Sequence, residues 1–252
     1  MSGLLEGRGL VRRHEGLLAV DHVDVVARPG EVTAVIGPNG AGKTTLFDCL
    51  SGVLRPQDGV VLLDGGDITS LTPDERSRRG LVRTFQRSAV FPSLTVAENL
   101  MVGAENRLHQ GALRGFLGLP DHDAGRATRI VEEVLGEIGL RPLRDVSAAT
   151  LPTGTLRLVE LARALCSEPL VLLLDEPASG LDDPEVDRMR DLLVRLAREG
   201  LTILLVEHDM DFVFEVADIA YAMVAGAILA EGPPRDIVDR PDVRMLILGM
   251  PQ

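Results

Sequence analysis

The sequence predicts an α/β fold with a mostly parallel sheet and helices on both faces. Two observations carry this. Short aliphatic runs, Val32–Ile36, Leu170–Leu174 and Leu201–Val206, are bounded by turn residues and lack the polar alternation of a half-exposed strand. They alternate along the chain with helix-length segments of amphipathic spacing. A chain of 252 residues with 45% hydrophobic content can bury one large core. With aromatics at only 3% and no Trp, that core must be aliphatic.

The elements follow in order. Strands are expected at Gly9–Arg13, Leu18–Ala27 and Val32–Ile36, then a helix over Thr44–Ser51. Pro56-Gln57-Asp58-Gly59 supplies the turn into a strand at Val60–Leu63. A short helix starts after Thr72 with Pro73 at its first position, and Leu81–Thr84 reads as a strand. From Thr95 to Val146 the pattern is helical, with Ile130, Val131, Val134, Leu135 and Ile138 on one face. Asn106–Asp123 reads as an irregular, Gly-rich insertion. A helix from Leu156 to Cys166 precedes the strand Leu170–Leu174, and a helix over Pro184–Arg198 precedes Leu201–Val206. A helix from Asp209, a hairpin at Ile219–Leu229 and short terminal helices complete the order.

Composition excludes some functions. A net charge of −12 argues against nucleic acid bound through a broad basic face. Cys49 and Cys166 fall in helical segments and read as buried free thiols, suited to a reducing cytoplasm. The first thirty residues lack a signal-peptide pattern, and no apolar run is long enough to span a bilayer.

Chemistry is concentrated at the ends of the aliphatic strands. The only lysine, Lys43, lies in Gly37-Pro38-Asn39-Gly40-Ala41-Gly42-Lys43-Thr44-Thr45, directly after a strand and opening a helix. Glycines there let backbone N–H groups turn inward onto phosphates, and the helix N-terminus adds a favourable dipole. Lys43 would reach the β/γ-phosphates of a nucleotide and the Thr44 hydroxyl would ligate Mg²⁺. The strand Leu170–Leu174 runs into Asp175-Glu176, at the carboxyl edge where open α/β sheets bind ligands. Asp175 would hold Mg²⁺ directly or through water, and Glu176 would orient or deprotonate the attacking water. His208 ends the neighbouring strand over the same crevice.

Together these landmarks resemble, nearly end to end, the ATP-binding subunits of ABC transporters. The resemblance implies the P-loop NTPase fold of ABC ATPases, with a mostly parallel core sheet, an antiparallel β subdomain and a helical insertion. It implies one domain over 1–252, with the core at 1–86 and 161–252 and the helical subdomain at about 87–160. ATP and Mg²⁺ are the ligands it implies. Gln86, in Arg83-Thr84-Phe85-Gln86, matches the glutamine that touches Mg²⁺ and senses the membrane subunit. Glu176 matches the catalytic carboxylate, His208 the γ-phosphate switch histidine and Asp182 the dimer-contact aspartate.

Two positions depart from the family pattern. The signature, usually Leu-Ser-Gly-Gly-Gln, is Leu151-Pro152-Thr153-Gly154-Thr155, where Pro152 offers a phosphate neither hydroxyl nor backbone N–H. His14 stands where the family stacks an aromatic ring on adenine. Because each site of the family's ATP sandwich joins one chain's phosphate loop to the other's signature, Pro152 affects the site on the partner's loop. A heterodimer is therefore expected, a homodimer being the alternative.

The stretches Gly16–Val20, Leu81–Gln86, Phe91–Asn99, Val206–Met210 and Pro241–Gly249 resemble the longer ATPase subunit of branched-chain amino-acid importers. That implies permease subunits contacted near Gln86, an external solute-binding protein, and a place on the inner face of the plasma membrane. A urea or amide importer, a lipid exporter, a soluble ABC ATPase and a non-hydrolysing module are the alternatives.

Overall fold

The computed structural model describes residues 2–14, 16–84, 90–108 and 124–247. The chain divides into two compact units, the first made of 1–83, 170–179 and 186–252, the second of 84–169 and 180–185.

The first unit opens with β1 (Leu5–His14), β2 (Leu17–Ala27) and β3 (Val32–Ile36), then α1 (Lys43–Ser51). β4 (Asp58–Leu63), β5 (Gly66–Asp67), α2 (Pro73–Arg78) and β6 (Leu81–Arg83) follow. In the second unit lie α3 (Val96–Leu108), α4 (Ala124–Glu137) and α5 (Thr153–Leu165). The chain then returns through β7 (Val171–Asp175), α6 (Asp183–Arg198), β8 (Thr202–Val206) and α7 (Met210–Val216). β9 (Ile219–Val224), β10 (Ala227–Gly232), α8 (Pro234–Val238) and α9 (Pro241–Ile247) complete it.

Two sheets form the first unit. Six strands run in the order β10-β9-β3-β8-β7-β6, all parallel except β10, which pairs antiparallel with β9. Every residue of β3, β7 and β8 is buried, as the unbroken aliphatic runs require of central strands covered on both faces. Four antiparallel strands, β2-β1-β4-β5, form the other sheet. Here β1 begins four residues earlier than its hydrophobic pattern suggests, because Leu5–Arg8 pairs with β4, and Leu5–Gly7 with β2 as well.

The α1 C-terminus is closed by a residue that carries no local sequence signal. Arg76 is fully buried and donates to the carbonyls of Cys49, Leu50, Thr69 and Leu71 at 2.6–3.1 Å. Two of those carbonyls, Cys49 and Leu50, lie in the last turn of α1, where carbonyls have no partner further along the helix. Burial pushes the guanidinium pKa down to about 10, so it stays charged at neutral pH.

In the second unit α3 packs on α4 and α5. Gly103 lets α3 approach closely, since a Cβ there would overlap the Arg163 carbonyl. A reciprocal Thr95–Glu98 capping box starts α3. Residues 106–108 continue α3 where an irregular insertion was expected, and the rest of that insertion lies outside the described residues. Between α4 and α5 the chain makes two short 3₁₀ turns, Arg141–Leu143 and Ala148–Thr150, instead of one continued helix. α5 starts at Thr153, three residues before the expected Leu156, because Pro152 takes its N-cap position with an extended ψ of 156°.

Candidate nucleotide site

Phosphate-binding geometry is built by the turn from β3 into α1. Gly42 caps α1 with φ of 104°, a conformation that favours glycine, and a Cβ there would overlap the Ala19 carbonyl of β2. The loop is braced from outside by Gly226, whose amide donates to the Ala41 carbonyl at 2.9 Å. No side chain caps α1 and its first turn holds no acid, so its orphan amides remain available to an anion. Lys43 is buried and folds back over the loop, donating to the carbonyls of Gly37 (2.6 Å) and Pro38 (3.0 Å). Burial pushes its pKa down, opposed by the nearby Glu176 and Asp175 carboxylates. Thr44 is exposed at the helix start, with Thr45 half-buried beside it.

The acids sit at the end of β7 in the same sheet. Asp175 is buried, and burial raises its pKa against the opposing charge of Arg83. Arg83, on β6, donates to Asp175 Oδ2 at 3.2 Å, to Asp48 Oδ1 at 2.6 Å and to Ser51 Oγ at 3.0 Å. It thus balances two carboxylates that face one another across the α1–β7 region. No local pattern pairs Arg83 with Asp48, which are 35 residues apart in the chain.

Glu176 leaves β7 in the left-handed region, φ 50°, its amide held by the Val206 carbonyl at 3.0 Å. For a non-glycine residue that backbone costs about 1–3 kcal/mol and persists only where the surroundings fix it. It turns the carboxylate off the strand, where His208 Nδ1 lies 3.8 Å from Glu176 Oε1. Between those two strand ends lies Glu207, buried and accepting the amides of Ala178 and His208, a feature the sequence reading did not assign.

The remaining candidates are placed as follows. His14 is exposed at the end of β1, paired across the strand with Leu17. Gln86 lies outside the described residues. In the second unit, Leu151–Thr155 leads into α5, and Pro152 provides no side-chain cap. Gly154 is buried against the Glu185 carboxylate. Asp182 accepts the Glu185 amide at 2.9 Å, while Glu185 accepts the Asp182 amide at 3.1 Å, a capping box that starts α6.

A parallel sheet with a phosphate loop after one strand and an acid pair after another is matched by a family model. The model for ABC transporters covers residues 20–179. The chain belongs to the ABC transporter family. It is 40% identical over 249 residues to the high-affinity branched-chain amino acid transport ATP-binding protein BraF of Pseudomonas aeruginosa, covering 98% of both chains. LivG of Escherichia coli, of the same description, is 39% identical over 98% of both chains. A nucleotide-free ATP-binding cassette from an ABC transporter superposes with a TM-score of 0.85 at 29% identity, covering 99% of this chain and 100% of that one. The ADP conformation of another ATP-binding cassette gives 0.84 at 30% identity, covering 99% and 100%. This ABC protein is thus a nucleotide-binding ATPase of the cassette type, with an antiparallel sheet beside its mostly parallel one. None of its described helices is long and apolar enough to cross a membrane.

Proposed function

We propose that this chain is the longer ATPase subunit of a branched-chain amino-acid importer, one cassette that binds Mg·ATP and hydrolyses it. The observation that supports the reading best is the meeting of Lys43, Asp175, Glu176 and His208 at the carboxyl ends of β3, β7 and β8. Lys43 would exchange two loop carbonyls for β/γ-phosphate oxygens, with the amides of Gly37–Thr45 around them. Thr44 and Asp175 offer hard oxygen donors suited to Mg²⁺, and Gln86 would add a third. The described residues hold no cluster of three His, Cys, Asp or Glu side chains able to cage a metal. That donor set fits a cation that keeps most of its water and phosphate ligands. Bound Mg²⁺ would supply charge neutralisation on the phosphate oxygens.

Glu176 would take or orient the proton of the attacking water, and His208 would hydrogen-bond the γ-phosphate. His14 would lie against the base. Leu151, Pro152, Thr153, Gly154 and Thr155, with Asp182, would face the ATP of a second subunit. With Pro152 weakening that contact, the partner is a different ATPase chain, so that the site on Lys43 is completed by a fuller signature. Closure on ATP would shift permease subunits engaged near Gln86, placing this chain on the cytoplasmic face of the membrane beneath an importer fed by an external binding protein.

Uptake of labelled leucine in cells lacking other leucine importers tests this, comparing the native chain, Lys43→Ala and Glu176→Gln at equal expression. Both variants should abolish uptake, Glu176→Gln retaining ATP binding while turnover falls about 10²–10⁴-fold. Uptake unaffected by either variant would overturn the solute assignment; normal turnover in Glu176→Gln would overturn the base.

A further inference from the structure

Among the described buried ionisable groups of the first unit, Glu207 alone has both oxygens committed to main-chain amides of two separate segments at the site. Its side chain is 1% exposed. Oε1 accepts the amide of Ala178 at 2.9 Å, two residues past Glu176 on the loop leaving β7. Oε2 accepts the amide of His208 at 3.1 Å, on the segment leaving β8. The His208 ring nitrogen Nδ1 is 3.8 Å from Oε2 of Glu207 and equally far from Oε1 of Glu176.

A buried carboxylate is an expensive way to tie two loops together. Burial pushes Glu207 up, and the amide hydrogen bonds pull it back. A neutral side chain would avoid the desolvation cost, yet only a carboxylate presents two acceptors at once. Glutamine would turn an NH₂ towards one of the amides and leave that donor unsatisfied. Phosphate chemistry offers no explanation, because Glu207 lies beneath the site and both oxygens point at backbone.

We infer that Glu207 is a positioning residue that locks the backbone at His208 to the loop following Glu176, so that the two groups hold a fixed separation. This rests on the roles proposed above for His208 and Glu176. The Glu176 amide already joins the two strand ends through the Val206 carbonyl; Glu207 adds the tie beyond them, between the loop at Ala178 and the backbone at His208. A displacement on the order of 1 Å between reacting groups can cost about 10²-fold in rate. Glu207 therefore contributes to kcat through its neighbour and not to ATP affinity.

The test is a double-mutant cycle on the transporter complex isolated through a tag on this chain. Turnover and fluorescent-ATP affinity are measured for native, Glu207→Gln, His208→Ala and the double variant, with Lys43→Ala giving the partner's background. Glu207→Gln should lower kcat by about 10–100-fold and leave ATP affinity essentially unchanged. It should have little further effect once His208 is Ala, because its action runs through that residue. Equal losses in both backgrounds, or a parallel loss of affinity, would make Glu207 a general brace and overturn the inference. Full turnover in His208→Ala would bring down the site reading itself, and this inference with it.

Hydrogen exchange on the native chain needs no variant. The amides of Ala178 and His208 should share one protection factor and change together on adding ATP. Independent exchange at the two amides would mean that Glu207 does not join them.

Discussion

The phosphate loop and the signature segment are both helix N-termini without a side-chain cap and without an acid in the first turn. Each therefore leaves amides open to phosphate. They differ in what precedes the helix. Before α1 stands a glycine in a left-handed backbone that other residues rarely adopt, packed against a neighbouring carbonyl and followed by a buried lysine. Before α5 stands Pro152, extended and without an N–H to give. One end was built rigidly for an anion, while the other lost a donor. That asymmetry within one chain is the physical basis for expecting a different chain as partner.

The comparison breaks most readily at Gly42. In Gly42→Ala the side chain must share space with the Ala19 carbonyl in a backbone region that costs about 1–3 kcal/mol for other residues. Since 1.4 kcal/mol is tenfold, ATP affinity by fluorescence titration should fall more than about tenfold. Gly154→Ala should lower ATP affinity much less, because its added methyl meets the carboxylate end of Glu185, a flexible side chain that can swing out of its capping box, and not backbone. Equal effects at the two glycines would show that the loop is no more rigid than the signature.

Pro152→Ser sharpens the comparison from the other side. It returns a hydroxyl cap and an N–H to α5, worth about 1 kcal/mol of helix stability. Turnover of the complex should rise towards that of two working sites, read as phosphate release per complex. Unchanged turnover would place the limit elsewhere than this residue.

The smallest effect uses the two cysteines, one on each helix. Cys49 lies in α1 and Cys166 caps the end of α5, both buried with thiol pKa values pushed up to about 11 and about 12. Little thiolate forms at neutral pH, so alkylation should be slow at both until the chain opens locally. ATP should slow Cys49 more than Cys166, as judged by mass spectrometry of labelled peptides. Equal slowing would mean that ATP stabilises the two helices together.

Much of the site was legible because it is written locally. A phosphate loop lies within nine consecutive residues, and Asp175-Glu176 sits directly on the strand that carries it. The helix starts were less so. The helix expected from Leu156 begins at Thr153, because Pro152 takes the N-cap position. The 3₁₀ turn at Arg141–Leu143 lies inside the helical hydrophobic pattern of Thr95–Val146, since both structures place residues three apart on one side.

The strand runs, the loop, the acid pair and the family are legible without coordinates, because each depends on spacing along a covalent chain. What Arg76, Arg83 and Glu207 do follows from partners that only folding brings to them. Arg76 meets the end of α1 from 26 and 27 residues away, Arg83 meets Asp175 across 92, and Glu207 meets Ala178 across 29. In the sequence all three are charged residues of the kind that normally face solvent. Burying them is favourable only where folding brings enough carbonyls, carboxylates or amides to replace water, and no local pattern encodes that coincidence.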